Sequence, residues 1–401
     1  MVHKTISAVL IFLGLGLLGA TDLDWKAEVR LRMEKDTSEV IDDSHTGIAT
    51  RTHLRSRLWL RLTSGSVSAV LQGQAAELLG AQGSPLYGKD SILTLHQVYG
   101  KISDLLVPGW TLYVGRFEFQ LGKGRFFSSN WWDDQGNVME GVNLINRSWP
   151  GLTNVFHFII RETYLTMEGD KSDATVDGVY LKPQFPLLET VGFDDLSVYW
   201  FREQNPYGTQ LASERITWGG ALEYSLFWFT LDLEGALQAG RVQPGVEIAG
   251  KMLVGNLQVN WPFVPVWKRL LVGWEYYSGD ELLTEGEVEG FANPYAERHD
   301  FHGQFDLHQS FVNNYSRGLE EFHVSTEVNL WRGVSLNLAY YQFNEGLSKR
   351  GNLGKEWDVT LEATYNDRLT LRQGYARYWY GSASSSAGTD EFAYTMLTIT
   401  L

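Results

Sequence analysis

The chain has 401 residues with no cysteine, 15 tryptophans, 41 glycines and 10 prolines, and 44% of it is hydrophobic against 20% charged. The missing cysteine excludes a disulfide scaffold and thiolate chemistry, and so apolar a chain is not disordered. A formal charge of −15 argues against a nucleic-acid partner, which needs a basic stripe.

Residues 1–4 are short and basic, and residues 5–20 (TISAVLIFLGLGLLGA) form an apolar run ending in small residues. A bilayer-spanning helix needs about twenty apolar residues, so this run reads as a signal peptide cleaved after Ala20. No other apolar run is long enough to span as a helix. Residues 21–401 are expected to form one exported domain, either soluble or a barrel.

The pattern after Trp25 decides between those two. Trp25, Ala27, Val29, Leu31 and Met33 alternate with Lys26, Glu28, Arg30, Arg32 and Glu34, and period two means strand. In residues 51–63, Leu54, Leu58, Leu60 and Leu62 lie opposite Arg51, Arg55, Arg57 and Arg61. Placing four arginines against lipid costs roughly 2–4 kcal/mol for each one near the midplane, so leucines face out and arginines in. The same test predicts strands at 66–76, 91–102, 110–119, 137–146, 153–162, 173–182, 193–202, 211–223, 226–238, 246–259, 268–278, 320–330, 333–344, 355–365, 368–380 and 391–401. With the first two, that makes eighteen.

Connections alternate between short and mostly long, as in an outer-membrane barrel with periplasmic turns and extracellular loops. Residues 64–65, 331–332 and 366–367 are brief, whereas 35–50, 78–90, 120–136 and 279–319 are long. Aromatic residues sort the same way. Trp110, Trp149, Trp261, Trp267 and Trp331 fall at the short-turn ends, while Trp131, Trp132, Trp200, Trp379 and Tyr380 fall near the opposite rim. Two such girdles suit a bilayer. The loop at 279–319 is charged early and carries Phe301, His302, Phe305, His308 and Phe311 later. Its length suits a constriction or lid folded into the mouth.

Catalytic signals are weak. There is no G-x-S-x-G, and Ser310 near His308 and Asp306 is adjacency rather than a triad. Gly122-Lys123-Gly124-Arg125 lacks the spacing of a phosphate-binding loop. Asp300 with His302, and Asp306 with His308, read as solvated loop. Neither a cofactor nor a metal is expected. The inward face carries the chemistry instead: Arg30, Arg32, Arg51, Arg55, Arg57 and Arg61 early, and Glu275, Glu321, Glu327, Glu356, Asp358 and Glu362 late. Barrel closure brings these walls into one lumen, where stacked arginines attract carboxylates and facing acids keep an anion from binding too tightly.

Tyr113-Val114-Gly115-Arg116-Phe117, Leu121-Gly122-Lys123-Gly124-Arg125-Phe126, Trp132-Asp133 and Met139-Glu140-Gly141-Val142-Asn143-Leu144 together resemble the alginate export family of outer-membrane barrels. Trp274-Glu275-Tyr276-Tyr277-Ser278-Gly279-Asp280 and Leu353-Gly354-Lys355-Glu356-Trp357-Asp358 are similar to later segments of that family. The resemblance implies eighteen strands and a polyuronate-type pore, and it carries a pore role to Arg116 and Arg125. Alternation taken alone puts Arg116 on the face of Trp110, Leu112 and Val114.

The expected protein is an all-β, up-and-down transmembrane barrel of about eighteen antiparallel strands in a Gram-negative-type outer membrane. It is expected to be a porin passing anionic solutes or polysaccharide, without catalysis, bounded by outer-membrane lipid and served by periplasmic export components. The alternatives are a structural or adhesive barrel with a plugged lumen, and a barrel-embedded hydrolase.

Overall fold

A computed structural model describes residues 22–401 apart from 39, 43–44, 47–48, 80–91, 149–150, 162–173, 186, 188–189, 205–213, 262, 282–283, 298, 309–316 and 385. The signal segment, Trp149 and Ser310 lie outside the described residues.

Eighteen long strands form one sheet: β1 Asp22–Asp36, β2 Ala49–Ser64, β3 Val67–Leu78, β4 Ile92–Ser103, β5 Trp110–Phe117, β6 Met139–Asn146, β7 Gly151–Arg161, β8 Ala174–Pro183, β9 Phe193–Gln204, β10 Glu214–Leu226, β11 Phe229–Gln243, β12 Lys251–Val259, β13 Trp267–Tyr277, β14 Leu319–Trp331, β15 Val334–Asn344, β16 Asn352–Tyr365, β17 Leu369–Tyr380 and β18 Thr389–Thr400. Each pairs antiparallel with its neighbours in sequence. The ring closes where β1 pairs with both β2 and β18, so that Val29 faces Ser56 on one side and Ile399 on the other. Among the described residues the eighteen-stranded ring has no unpaired edge strand, which is the condition for a sheet in lipid.

The alternation holds in three dimensions. Trp25, Val29, Met33 and Leu58 are exposed on the outer surface, while Arg30, Arg32 and Arg55 are buried inside. One strand is corrected. The run at 246–259 is broken at Ala249 and Gly250 into a short piece, Val246–Ile248, and β12; the short piece folds back on β11 and pairs parallel with Glu287–Val288. The strand expected to reach residue 119 stops at Phe117.

The tightest connections obey local backbone chemistry. Asn366 and Asp367 both take left-handed φ (49° and 53°) between β16 and β17, which is the two-residue geometry whose twist matches a hairpin. Gly115 (φ 130°) and Gly141 (φ 151°) stand directly opposite each other in β5 and β6, and a Cβ on either would collide with a backbone carbonyl of the next strand. Both glycines belong to the motif segments.

The densest packing lies within the ring. After β5 the chain turns inward, and Phe119, Phe126 and Phe127 pack on Phe156 and Phe158 of β7 and on Tyr199 and Phe201 of β9. A second segment, between β13 and β14, brings in Phe291 and Tyr295; Phe127 stacks on Tyr295 with centroids 5.3 Å apart. Two loops therefore occupy part of the interior, and their aromatic cluster is held the way a soluble core is held.

Candidate functional site

The arginine-bearing wall grips the first loop, residues 118–138. Arg30 donates to the carbonyl of Trp131 (2.6 Å) and to Asp134 (2.9 Å). Arg55 donates to the carbonyls of Trp131 and Asp133 (3.0 Å each) and to Glu28 (2.8 Å). Arg32 reaches the carbonyl of Trp132 and lies over its indole ring, 4.1 Å from the centroid. A loop buried inside a barrel must satisfy its backbone carbonyls, and guanidinium groups do so with charge-assisted bonds of about 1.5–3 kcal/mol each. Arg57 donates to Gln74 (2.6 Å) and Glu118 (3.3 Å). Arg51 shares this inner face, in register with Glu34.

Two loop carboxylates are held ionised. Burial alone would raise the Asp134 carboxyl, but the hydrogen bond from His53 (2.5 Å) and the charges of Arg32, His53 and Arg30 pull it down to about 2. Burial likewise opposes ionisation of Glu118, and the hydrogen bond from His96 (2.9 Å) with the charge of Arg57 brings it below the usual range.

The acidic wall grips the second loop. Arg125 leaves the first loop and meets Glu275 of β13 in a fork, 2.7 Å on each arm, with Tyr277 at 3.0 Å and Glu234 at 3.5 Å. Glu356 and Asp358 of β16, 0% and 2% exposed, together hold the tip of the second loop. The backbone N–H of Gln304 donates to both (2.8 and 3.1 Å), and that of Phe305 donates to Glu356 (3.0 Å). Gly303 beside them has φ 82°, and a Cβ there would strike the Glu356 carboxylate.

The two loops meet across the lumen. Trp132 lies flat on His299, the Trp131 indole N–H donates to Asp300 (3.0 Å), and Gly124 accepts from the Glu297 N–H (2.9 Å). Towards the short-turn end, β12–β18 and the underside of this plug enclose an open polar cavity of about 490 Å³. Its walls carry cross-strand ion pairs: Glu327 with Arg269 (3.0 Å) and Lys268 (2.6 Å), and Glu362 with Arg372 (2.5 Å). Further round the ring, on the inner face of β1, β2 and β4 near the same end, Arg61 pairs with Asp24 and keeps 41% of its side chain exposed, and Lys26 and Lys101 share that face.

Most of the residues named from sequence are thus brought together around the plug, as anchors of its two loops, while Arg61, Glu327 and Glu362 line open space. Arg116 is a correction. It stands on the outer surface with Val114, ion-paired to Glu140 (2.9 Å), because strict alternation holds through β5 and Tyr113, Gly115 and Phe117 take the inner face. Trp131 and Trp132 are likewise corrected from the rim girdle to the plug. Sequence reading missed His53, Asp134, His299 and Gln304, which hold the loops. The one available signal was the cluster of Phe126, Phe127, Trp131 and Trp132 in a segment read as a long extracellular loop.

A family model described as alginate export matches residues 22–396. A search of the curated proteins found no match. Among solved structures, the outer-membrane protein OpdK from Pseudomonas aeruginosa is similar in fold (TM-score 0.63, 15% identity, 96% of this chain and 99% of that one). So are OccK2 (OpdF) of the same organism in complex with glucuronate (TM-score 0.61, 14%, 96% and 99%) and a BenF-like porin from Pseudomonas fluorescens Pf-5 (TM-score 0.64, 14%, 95% and 99%).

Proposed function

The chain belongs to the alginate export family, and from that premise we propose that it carries small hydrophilic solutes, anionic saccharides among them, along a lumen narrowed by its two inner loops. A closed barrel of this family sits in the Gram-negative outer membrane, and solute passage is what that architecture provides. The family and its structural neighbours are channels and porins rather than enzymes, and the proposal contains no catalytic step.

The observation that carries the reading is the open, polar cavity of about 490 Å³ beneath the plug. That volume suits a ligand of one or two sugar rings. Lys26, Arg61 and Lys101 on the inner face of β1, β2 and β4 favour a carboxylate in the same end of the lumen, and the ion pairs at Glu327 and Glu362 offer both donors and acceptors to hydroxyl groups. The porin of similar fold solved with glucuronate supports a uronate as the first solute to try. Periplasmic export components, if they serve this barrel, meet it at the short-turn end.

A second reading, a plugged structural or adhesive barrel, is favoured by the contact of Trp132 with His299 across the lumen. Planar-bilayer recording separates the two. Steady conductance reduced by added glucuronate supports the channel; a folded barrel that passes no current supports the plug.

A further inference from the structure

The wall that holds Arg125 also gathers two imidazoles. His302 Nδ1 lies 2.8 Å from Glu321 Oε2 and 3.9 Å from Glu275 Oε2, and His323 Nδ1 lies 2.7 Å from Glu321 Oε1. Donor atoms of Glu275, Glu321 and His323 fall within 4.8 Å of one another, and all three residues are buried. Arg125 pairs with Glu234 and Glu275, while among the described residues buried Glu321 is partnered by the two imidazoles. Buried charges are paired or bind metal ions, and a buried carboxylate whose partners are two imidazoles calls for protons on those rings or for a cation among them.

Two further features favour the cation. Asn256 is only 8% exposed, and its amide nitrogen donates to Asp232 (3.2 Å), which leaves Oδ1 without a hydrogen-bond partner beside His323 Nε2. Gly273 of β13 makes room for this juxtaposition, since a Cβ there would collide with both atoms. A histidine that ligates through Nδ1 turns its Nε2–H to an outer acceptor, and Asn256 Oδ1 stands where that acceptor is needed.

We propose that His302, His323, Glu321 and Glu275 form a site for a divalent transition-metal ion of the zinc type, reached from the periplasmic cavity. Two imidazole nitrogens with two carboxylate oxygens are a donor set that zinc accepts. The ion supplies positive charge to Glu321, which has no arginine or lysine partner among the described residues. His302 belongs to the second loop and the other three residues to β13 and β14, so the bound ion fastens that loop to the wall.

The test uses the full mature barrel, folded in detergent and stripped with EDTA. Calorimetric titration with zinc chloride is expected to show one saturable site, weakened at least about 30-fold by His302→Ala or His323→Ala and about 10-fold by Asn256→Ala, the range that loss of an outer partner produces. Heat-modifiable gel migration reports that each variant is still a closed barrel, and His302→Ala touches only a loop. In planar bilayers, zinc on the periplasmic face is expected to lower the conductance of the native channel and to leave that of His302→Ala unchanged. Absence of saturable heat, or unchanged affinity in the His302→Ala, His323→Ala double variant, overturns the site. Binding without any effect on a conducting channel overturns the fastening. The calorimetric arm does not depend on conduction, so its failure is distinct from failure of the channel reading.

Discussion

Trp132 stacks on His299 with ring centroids 3.6 Å apart and planes 8° from parallel, although the first enters the lumen after β5 and the second after β13. Tyr394 of β18 closes edge-on against both rings. This pair makes two separate loops into one obstruction, and most of the expected behaviour of the channel follows from how it is held.

Trp132→Ala removes the stack, the Arg32 contact and a nearly fully buried ring. Truncating a buried tryptophan costs about 3–5 kcal/mol, enough to release the join between the loops. The expected outcome is a larger and noisier single-channel conductance with an unchanged barrel melting temperature, read by planar-bilayer recording and thermal unfolding.

The arginines of β1 and β2 divide into two kinds. Arg55→Gln deletes bonds to two loop carbonyls and is expected to raise conductance by loosening the plug. Arg61→Gln deletes an exposed charge on open lumen and is expected to shift the reversal potential towards cations while leaving conductance nearly unchanged. Reversal potentials in a salt gradient distinguish them; equal shifts from both variants would refute the division.

Acid should release the first loop. The Asp134 carboxyl ionises at about 2 in the folded barrel against 3.8 ordinarily. A depressed folded value means that its contribution is complete above about pH 4 and is lost as pH falls through about 2. Limited pepsin digestion across that interval is expected to show cuts appearing between Trp131 and Val138. In Asp134→Asn the same cuts are expected at pH 4 already.

Arg116→Gln is expected to leave conductance and selectivity as they were, because the side chain faces away from the lumen. A shift in reversal potential comparable to that of Arg61→Gln would place it inside after all.

Phe127 is completely buried and stacked on Tyr295, where both loops share one aromatic cluster. Phe127→Ala is expected to cost about 3–5 kcal/mol of loop packing. The measurement is protease sensitivity of residues 118–138, which should rise sharply while gel migration still reports a closed barrel.

Strand count, closure and facing were legible because alternation has a single period and a large penalty for error: one step of register would turn Arg30, Arg32 and Arg55 into lipid. The inward turn of the second loop was suggested by the length of 279–319, but that of residues 118–138 was not, and the partners of both loops stayed hidden, since neither has a repeat to read and those partners lie far away in sequence. Arg55 on an inner face reads equally as a pore charge or as a clamp, and only the position of the Trp131 carbonyl separates the two. Arg116 was misplaced because motif likeness was set above alternation, which by itself put it beside Val114. The break at Ala249 and Gly250 escaped notice because the residues on both sides are good strand formers.

The two loops leave the ring at β5 and β13, nearly half a circumference apart, and each is bolted to wall it did not come from: Trp131 and Trp132 to β1 and β2, Gln304 and Phe305 to β16. They therefore act as a strut across a hoop whose own resistance to flattening comes from its hydrogen-bond ladder and its cross-strand side-chain pairs. Whatever thins the strut to widen the passage also lets the hoop go oval under bilayer pressure, so throughput and stiffness cannot be adjusted independently in this barrel.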